Sequence, residues 1–186
     1  VLPLDMGDGS LEFRGFDTSA FSLDGQWIAG SYPTNSSSIV FVGEYGSTKN
    51  ELILIESTRI EELITTIAFS READRFVLGG NNGNLRMWTL PDFEYHSFIR
   101  AERSTTSNRI NDIAFSPTDP VFATAEGNPQ GVVRLFNINT LQQVQAKVVP
   151  GTSGTVVALA YHPDGSQIAV LIDNSVMILD SETLEP

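Results

Sequence analysis

Ser19-Ala20-Phe21-Ser22, Ile67-Ala68-Phe69-Ser70, Ile113-Ala114-Phe115-Ser116 and Leu159-Ala160-Tyr161-His162 are four versions of one tetrapeptide. Their aromatic residues stand at 21, 69, 115 and 161, so the motif returns after 48, 46 and 46 positions. A recurrence this regular marks a repeat architecture, one supersecondary unit copied along the chain.

The surroundings of each anchor repeat as well. A polar turn follows: Leu23-Asp24-Gly25, Arg71-Glu72-Ala73-Asp74, Pro117-Thr118-Asp119-Pro120 and Pro163-Asp164-Gly165. Asp-Gly pairs accept the positive φ of tight hairpins. Short apolar runs come next, at 27–29, 76–78, 121–123 and 168–171, and again at 39–42, 85–88, 132–136 and 176–179. A fourth run leads to the next anchor at 52–55, 95–99 and 144–149. Short β-rich runs bounded by turn signals read as strands, and no stretch keeps a helical period. Each repeat is therefore a four-stranded antiparallel sheet, and four strands in about 40–50 residues describe a propeller blade. The expected fold is all-β: a β-propeller with four blades of four-stranded antiparallel sheet, part of a larger ring. The 186 residues form a single propeller or propeller fragment, with repeats near 11–50, 51–92, 93–140 and 141–186. Phe21, Phe69, Phe115 and Tyr161 are expected in the core between blades.

Ala114-Phe115-Ser116-Pro117, Tyr161-His162-Pro163-Asp164-Gly165, Leu85-Arg86-Met87-Trp88 and Val133-Arg134-Leu135-Phe136 together resemble the WD-repeat family, over about residues 11–184. That resemblance implies a non-enzymatic scaffold whose rigid loops grip proteins or peptides. The pattern is degenerate. The family's Trp-Asp pair reads Trp88-Thr89, Phe136-Asn137, Leu179-Asp180 and, in the first repeat, Val42-Gly43, and its Gly-His dipeptide is absent.

Composition narrows the function. Formal net charge is −12, from 11 basic and 23 acidic residues. Nucleic-acid binding needs a positive face that releases counterions, so no nucleic-acid partner is expected. No apolar run approaches the ~20 residues of a membrane span, and Val1–Asp8 lacks the features of a signal peptide. The localisation lean is therefore cytoplasmic. With no cysteine there is no disulfide, thiol catalysis or thiolate metal site.

Catalytic constellations are sparse. His96 lies in an outer strand and His162 fills the turn slot of Ser22, Ser70 and Ser116, so both read as structural. Asp5-Met6-Gly7-Asp8-Gly9 lacks the ligand spacing of a calcium loop. No cofactor or metal is expected, and the chain reads as no enzyme. The alternative is a propeller enzyme or small-ligand sensor with a site in the axial channel. Thr66, Asp112 and Ala158 would line that channel in successive repeats.

Function is expected on the loops, which a sheet holds rigidly. The loops entering the first strands, 57–63, 100–109 and 150–155, carry Arg59, Arg100, Arg103 and Arg109. These four are the candidate partner-binding residues, suited to carboxylate or phosphate groups. The competing reading is a solvated loop whose arginines balance nearby acids. Arg86 and Arg134 occupy matching third-strand slots and read as structural.

The segment 11–16 reads as an outermost strand completing the last blade. Three ring arrangements are open: a closed four-bladed ring, part of a larger propeller, and two copies forming eight blades. A half-ring would expose an apolar face and a bare strand edge, so self-association or further blades are expected to close it.

Overall fold

The computed structural model describes residues 4–5, 11–12, 17–46, 51–98, 109–127, 131–149 and 154–186. Among these residues every regular element is a strand. In chain order they are β1 (Leu4–Asp5), β2 (Leu11–Glu12), β3 (Thr18–Phe21), β4 (Trp27–Pro33), β5 (Ser38–Gly46), β6 (Glu51–Ile60), β7 (Ile64–Phe69), β8 (Arg75–Gly80) and β9 (Leu85–Thr89). There follow β10 (Tyr95–Phe98), β11 (Arg109–Phe115), β12 (Val121–Gly127), β13 (Val132–Asn137), β14 (Gln143–Val148), β15 (Val156–Tyr161), β16 (Gln167–Ile172) and β17 (Ser175–Asp180).

Strands β3 to β17 form four antiparallel sheets in propeller fashion, β3-β4-β5-β6, β7-β8-β9-β10, β11-β12-β13-β14 and the three-stranded β15-β16-β17, and β1 pairs separately with β2. The innermost strands pack in succession, β3 on β7, β7 on β11 and β11 on β15. Among the described residues no comparable packing joins β15 to β3, so the four sheets make an open arc. The strand expected to complete the last sheet does not do so over its described part. Leu11 pairs with Asp5 and Glu12 with Leu4, while residues 13–16 lie outside the described residues.

The core is divided into three seams. Ala29, Val40 and Val42 of the first sheet meet Ile64, Ile67, Phe76, Leu78 and Trp88 of the second. Val77, Leu85 and Met87 meet Ile110, Ile113, Phe122 and Phe136 of the third. Ala123, Ala125, Val133 and Leu135 meet Val156, Leu159, Ile168, Val170 and Leu179 of the fourth. Alternation in a strand sends successive side chains to opposite faces, so each sheet has a leading face toward its predecessor and a trailing face toward its successor. A fully buried Phe such as Phe122 stabilises its seam by about 1.5–3 kcal/mol.

The expected core role of the four anchor aromatics is met unevenly. Phe69 and Phe115 are half-buried and lean on the deeper Phe76 and Phe122, with ring centroids 5.5 and 5.3 Å apart. Phe21 is 59% exposed, because its leading face has no preceding sheet among the described residues. The buried aromatic weight falls instead on the second and third strands, where Phe76 stacks on Trp88 and Phe122 on Phe136. Register also corrects the first repeat. Phe76 opposes Trp88, Phe122 opposes Phe136 and Ile168 opposes Leu179, whereas Ile28 opposes Gly43. The Trp slot of the first sheet is thus Gly43, with Glu44 after it, rather than Val42-Gly43.

Two devices recur in the sheets. The second, third and fourth share a bulge at one place, around Thr65, Asn111 and Val157. A bulge re-aims a side chain, and here it sends two of them across a seam. Thr65 Oγ1 donates to the Ile110 carbonyl, and Asn111 Nδ2 donates to the Val156 carbonyl at 2.7 Å. Phe93, Leu141 and Leu184, each five residues past Trp88, Phe136 and Leu179, adopt left-handed φ of 55, 57 and 55°. Bulky residues pay strain there, and burial compensates it: each side chain packs into the seam with the preceding sheet.

Candidate interaction site

Each sheet has an upper rim, where the chain enters its innermost strand, and a lower rim bearing the turns after the anchor motifs. The lower-rim turns are built from short hydroxyl–carboxylate bonds. Ser22 Oγ donates to Asp24 at 2.6 Å, and Ser70 Oγ donates to Asp74 at 2.7 Å. His162 takes the same slot, its Nδ1 lying 2.7 Å from Asp164. The Ser166 backbone N–H and hydroxyl, then His162, hold the Asp164 carboxyl down at about 2. His96 lies 3.9 Å from Glu94 on the outer flank. Both histidines thus have local carboxylate neighbours, in keeping with structural roles.

Arg86 and Arg134 are held in ion pairs, Arg134 buried and Arg86 partly so. Arg134 Nε donates to Glu126 at 3.1 Å, and its Nη1 donates to Gln143 at 3.0 Å. Arg86 pairs with Glu62, which also accepts from Asn84 Nδ2 at 2.8 Å. Glu62 arrives from the linker between sheets. It has room because Gly80 carries no side chain: a Cβ there would sit 2.5 Å from the carboxylate.

In the axial slot Asp112 serves as a strap to the next innermost strand. Asp112 accepts from the backbone N–H groups of Leu159 and Ile113, both at 2.9 Å. Its pKa is raised by burial, against the lowering effect of these bonds and of the Thr66 hydroxyl. On the lower rim a cavity of about 570 Å³ spans the four sheets, lined chiefly by Phe21, Leu23, Phe69, Phe115, Pro117 and Pro163. Arg71 borders it, its guanidinium donating to the Pro117 carbonyl. No cluster of three metal-ligating side chains occurs among the described residues.

Of the four predicted arginines, two can be placed. Arg59 was expected in a loop over 57–63, but β6 continues to Ile60 and Arg59 opposes Ile39. Polar side chains on an outermost strand look like a loop in sequence, while backbone bonds to β5 keep the strand going. Arg59 Nε donates to Glu61 at 2.8 Å, and both side chains are exposed. Arg109 opens β11 on the upper rim, opposite Gly127, and is exposed. Arg100 and Arg103 lie outside the described residues. The loop joining β4 to β5 is short, since β4 runs to Pro33 and β5 starts at Ser38.

Arg59 borders a feature that the loop-based reading missed. A cleft of about 490 Å³ runs along the outer flank between the first and second sheets. Trp88, Phe93 and Tyr95 supply its aromatic lining, and Glu56, Arg59, Glu61 and Arg86 its charged groups. Trp88 is braced by Phe76 on one side and by Tyr95 on the other, ring centroids 5.4 and 4.8 Å away. Phe93 is fixed edge-on against Trp27 at 5.9 Å. Locked aromatics beside arginines make the composition typical of binding hot spots, because little side-chain freedom is lost on contact. The available signal was Trp88 and Tyr95 flanking the hairpin 90–94, which read only as strand residues.

No family model matches the chain. Over 74 residues, 39% of its length, it is 36% identical to the target of rapamycin complex subunit wat1 of Schizosaccharomyces pombe. The match spans 23% of that protein's own length. The similarity is thus to a segment of a complex subunit.

Proposed function

We propose that this chain is a protein-interaction module, a WD-repeat-type scaffold that binds a protein or peptide rather than catalysing a reaction. The observation that carries the reading is the flank cleft, where fixed Trp88, Phe93 and Tyr95 stand beside Arg59. Similarity to a subunit of a complex supports it. The fitting ligand is a peptide segment with an aromatic or aliphatic anchor for the cleft and a carboxylate for Arg59, released there from Glu61. Arg109, with Arg100 and Arg103 in the segment leading to it, forms a second contact on the upper rim. The whole is taken as one propeller unit.

The test is affinity capture from native extract with the wild-type chain, an Arg59→Glu/Tyr95→Ala variant and an Arg103→Glu/Arg109→Glu variant. The expected result is loss of one specific set of proteins with the cleft variant and weaker retention with the rim variant. Thermal unfolding of the Arg59→Glu/Tyr95→Ala variant should move by no more than about 1–2 kcal/mol, since both side chains are exposed. Undiminished capture by both variants would overturn the reading.

A further inference from the structure

Each sheet lends the lower-rim cavity a turn residue, and an acid stands directly after it in the chain. Leu23 is followed by Asp24, Arg71 by Glu72, Thr118 by Asp119 and Pro163 by Asp164. A floor of Phe69, Phe115 and Pro117 is thereby ringed by four exposed carboxylates. Neutral donors hold two of them. The Ser22 hydroxyl donates to Asp24 at 2.6 Å, and the Thr118 hydroxyl donates to Asp119 at 2.8 Å. The Ser22 hydroxyl, then the Gln26 backbone N–H, hold Asp24 below the ordinary carboxylate range, so it stays charged. Two arginines and a histidine share the rim. Arg75 Nη1 donates to the Ile138 carbonyl and to Asn139, both at 3.0 Å, and its Nε lies 3.5 Å from Asp74. Arg71 donates to the Pro117 carbonyl, and His162 lies against Asp164. Both guanidiniums are thus engaged across the seam between the second and third sheets.

We propose that the lower rim is a second docking surface, fitted to a partner-protein segment in which a bulky apolar residue is flanked by lysine or arginine. Charge complementarity names that occupant. The apolar residue enters the cavity and covers Leu23, which is 79% exposed, while its cationic neighbours meet the carboxylate ring. Phe69 and Phe115 are already braced on Phe76 and Phe122, so the floor loses little freedom on contact. The formal charge of −12 adds attraction at long range, and an acidic segment is repelled. The flank cleft offers Arg59 to a carboxylate, so the two surfaces select segments of opposite charge.

The test pans a random heptapeptide display library on the Arg59→Glu/Tyr95→Ala chain, in which the flank cleft is disabled and the lower rim is intact. The expected sequences carry a bulky apolar residue between lysines or arginines. Binding of the selected peptides, read by fluorescence anisotropy, should fall about 10-fold with Leu23→Ser and about as much with Glu72→Gln/Asp119→Asn. Leu23→Ser leaves the charge unaltered, so it separates a built cavity from diffuse ionic attraction. Peptides that bind this variant as well as the parent would overturn the proposal, as would selected sequences that are acidic or show no enrichment in lysine and arginine. A dimer in sedimentation that Leu23→Ser dissociates would overturn it in favour of a second copy. Loss of partner capture by the flank variant bears on the other surface alone, so the two readings fail separately.

Discussion

In the third sheet Arg134 lies against Glu126, both almost fully buried, while the fourth sheet places Met177 and Ile172 at the same two positions. The second sheet makes a third version, keeping Arg86 but drawing its carboxylate from Glu62 in the linker. One structural slot is thus filled by an ion pair within a sheet, an ion pair across a linker, and an apolar pair. A buried pair gains attraction in low dielectric but loses hydration, and the two nearly cancel. What the slot requires is filled volume with no stranded charge. The exposed pair Arg59–Glu61 is a different case, screened by water and worth at most about 1 kcal/mol.

The largest expected effect comes from breaking one half of the buried pair. Arg134→Ala removes the guanidinium that pairs with the buried Glu126 carboxylate and should cost about 3–5 kcal/mol in urea unfolding. Importing the fourth sheet's solution, Glu126→Ile with Arg134→Met, should restore stability to wild type or above it, by up to about 4 kcal/mol. A double variant as unstable as the single would show that the pair is required for its charges.

A smaller effect sharpens the comparison at the lower-rim turns. Gly25 and Gly165 adopt φ of 72 and 82°, and Ala73 holds the equivalent left-handed place at 56°. Ala73→Gly removes the clash of Cβ with the backbone and should raise stability by about 0.5–1 kcal/mol. The gain is reduced by the buried methyl lost, and the unfolding midpoint in urea reads the balance.

The smallest effect concerns the His162 turn. Asp164 is depressed to about 2 in the folded chain, first by the Ser166 backbone N–H, next by the Ser166 hydroxyl and then by His162. A carboxyl depressed on folding contributes stability above its unfolded pKa, and that contribution is lost as pH falls from about 4 through about 2. Ser166→Ala should move the carboxyl resonance titration of Asp164 upward toward the ordinary value and flatten this part of the acid profile. An unchanged titration would show that the hydroxyl is not a determinant.

Much of the architecture was legible because the repeat is carried by sterically demanding residues. Phe69 and Phe115, the Asp-Gly turns and the β-branched runs sit where sheet geometry demands them, so spacing alone located the strands. Elements governed by backbone bonding were harder to read. Ser57-Thr58-Arg59 looks like a loop, yet it pairs with Phe41-Val40-Ile39 in a strand facing solvent. Left-handed Leu141 and Leu184 gave no signal, since propensity favours Gly or Asn there and only the seam shows why a bulky residue is held. The arginines outside any cluster were sorted by slot: Arg86 and Arg134 read as structural and pair with acids inside. The cleft was missed because it joins residues 56–61 to 86–95, two stretches brought together only by the packing of one sheet on the next.

A core split into three seams gives each sheet only neighbours to lean on. Cohesion then spreads along the arc as in a row of coupled links, where an inner link is gripped from both sides and a terminal one from a single side. The middle of such an array holds its shape through excursions that loosen its ends. A ligand seated between the first two sheets would act as an additional coupling, fastening the outermost link to the row.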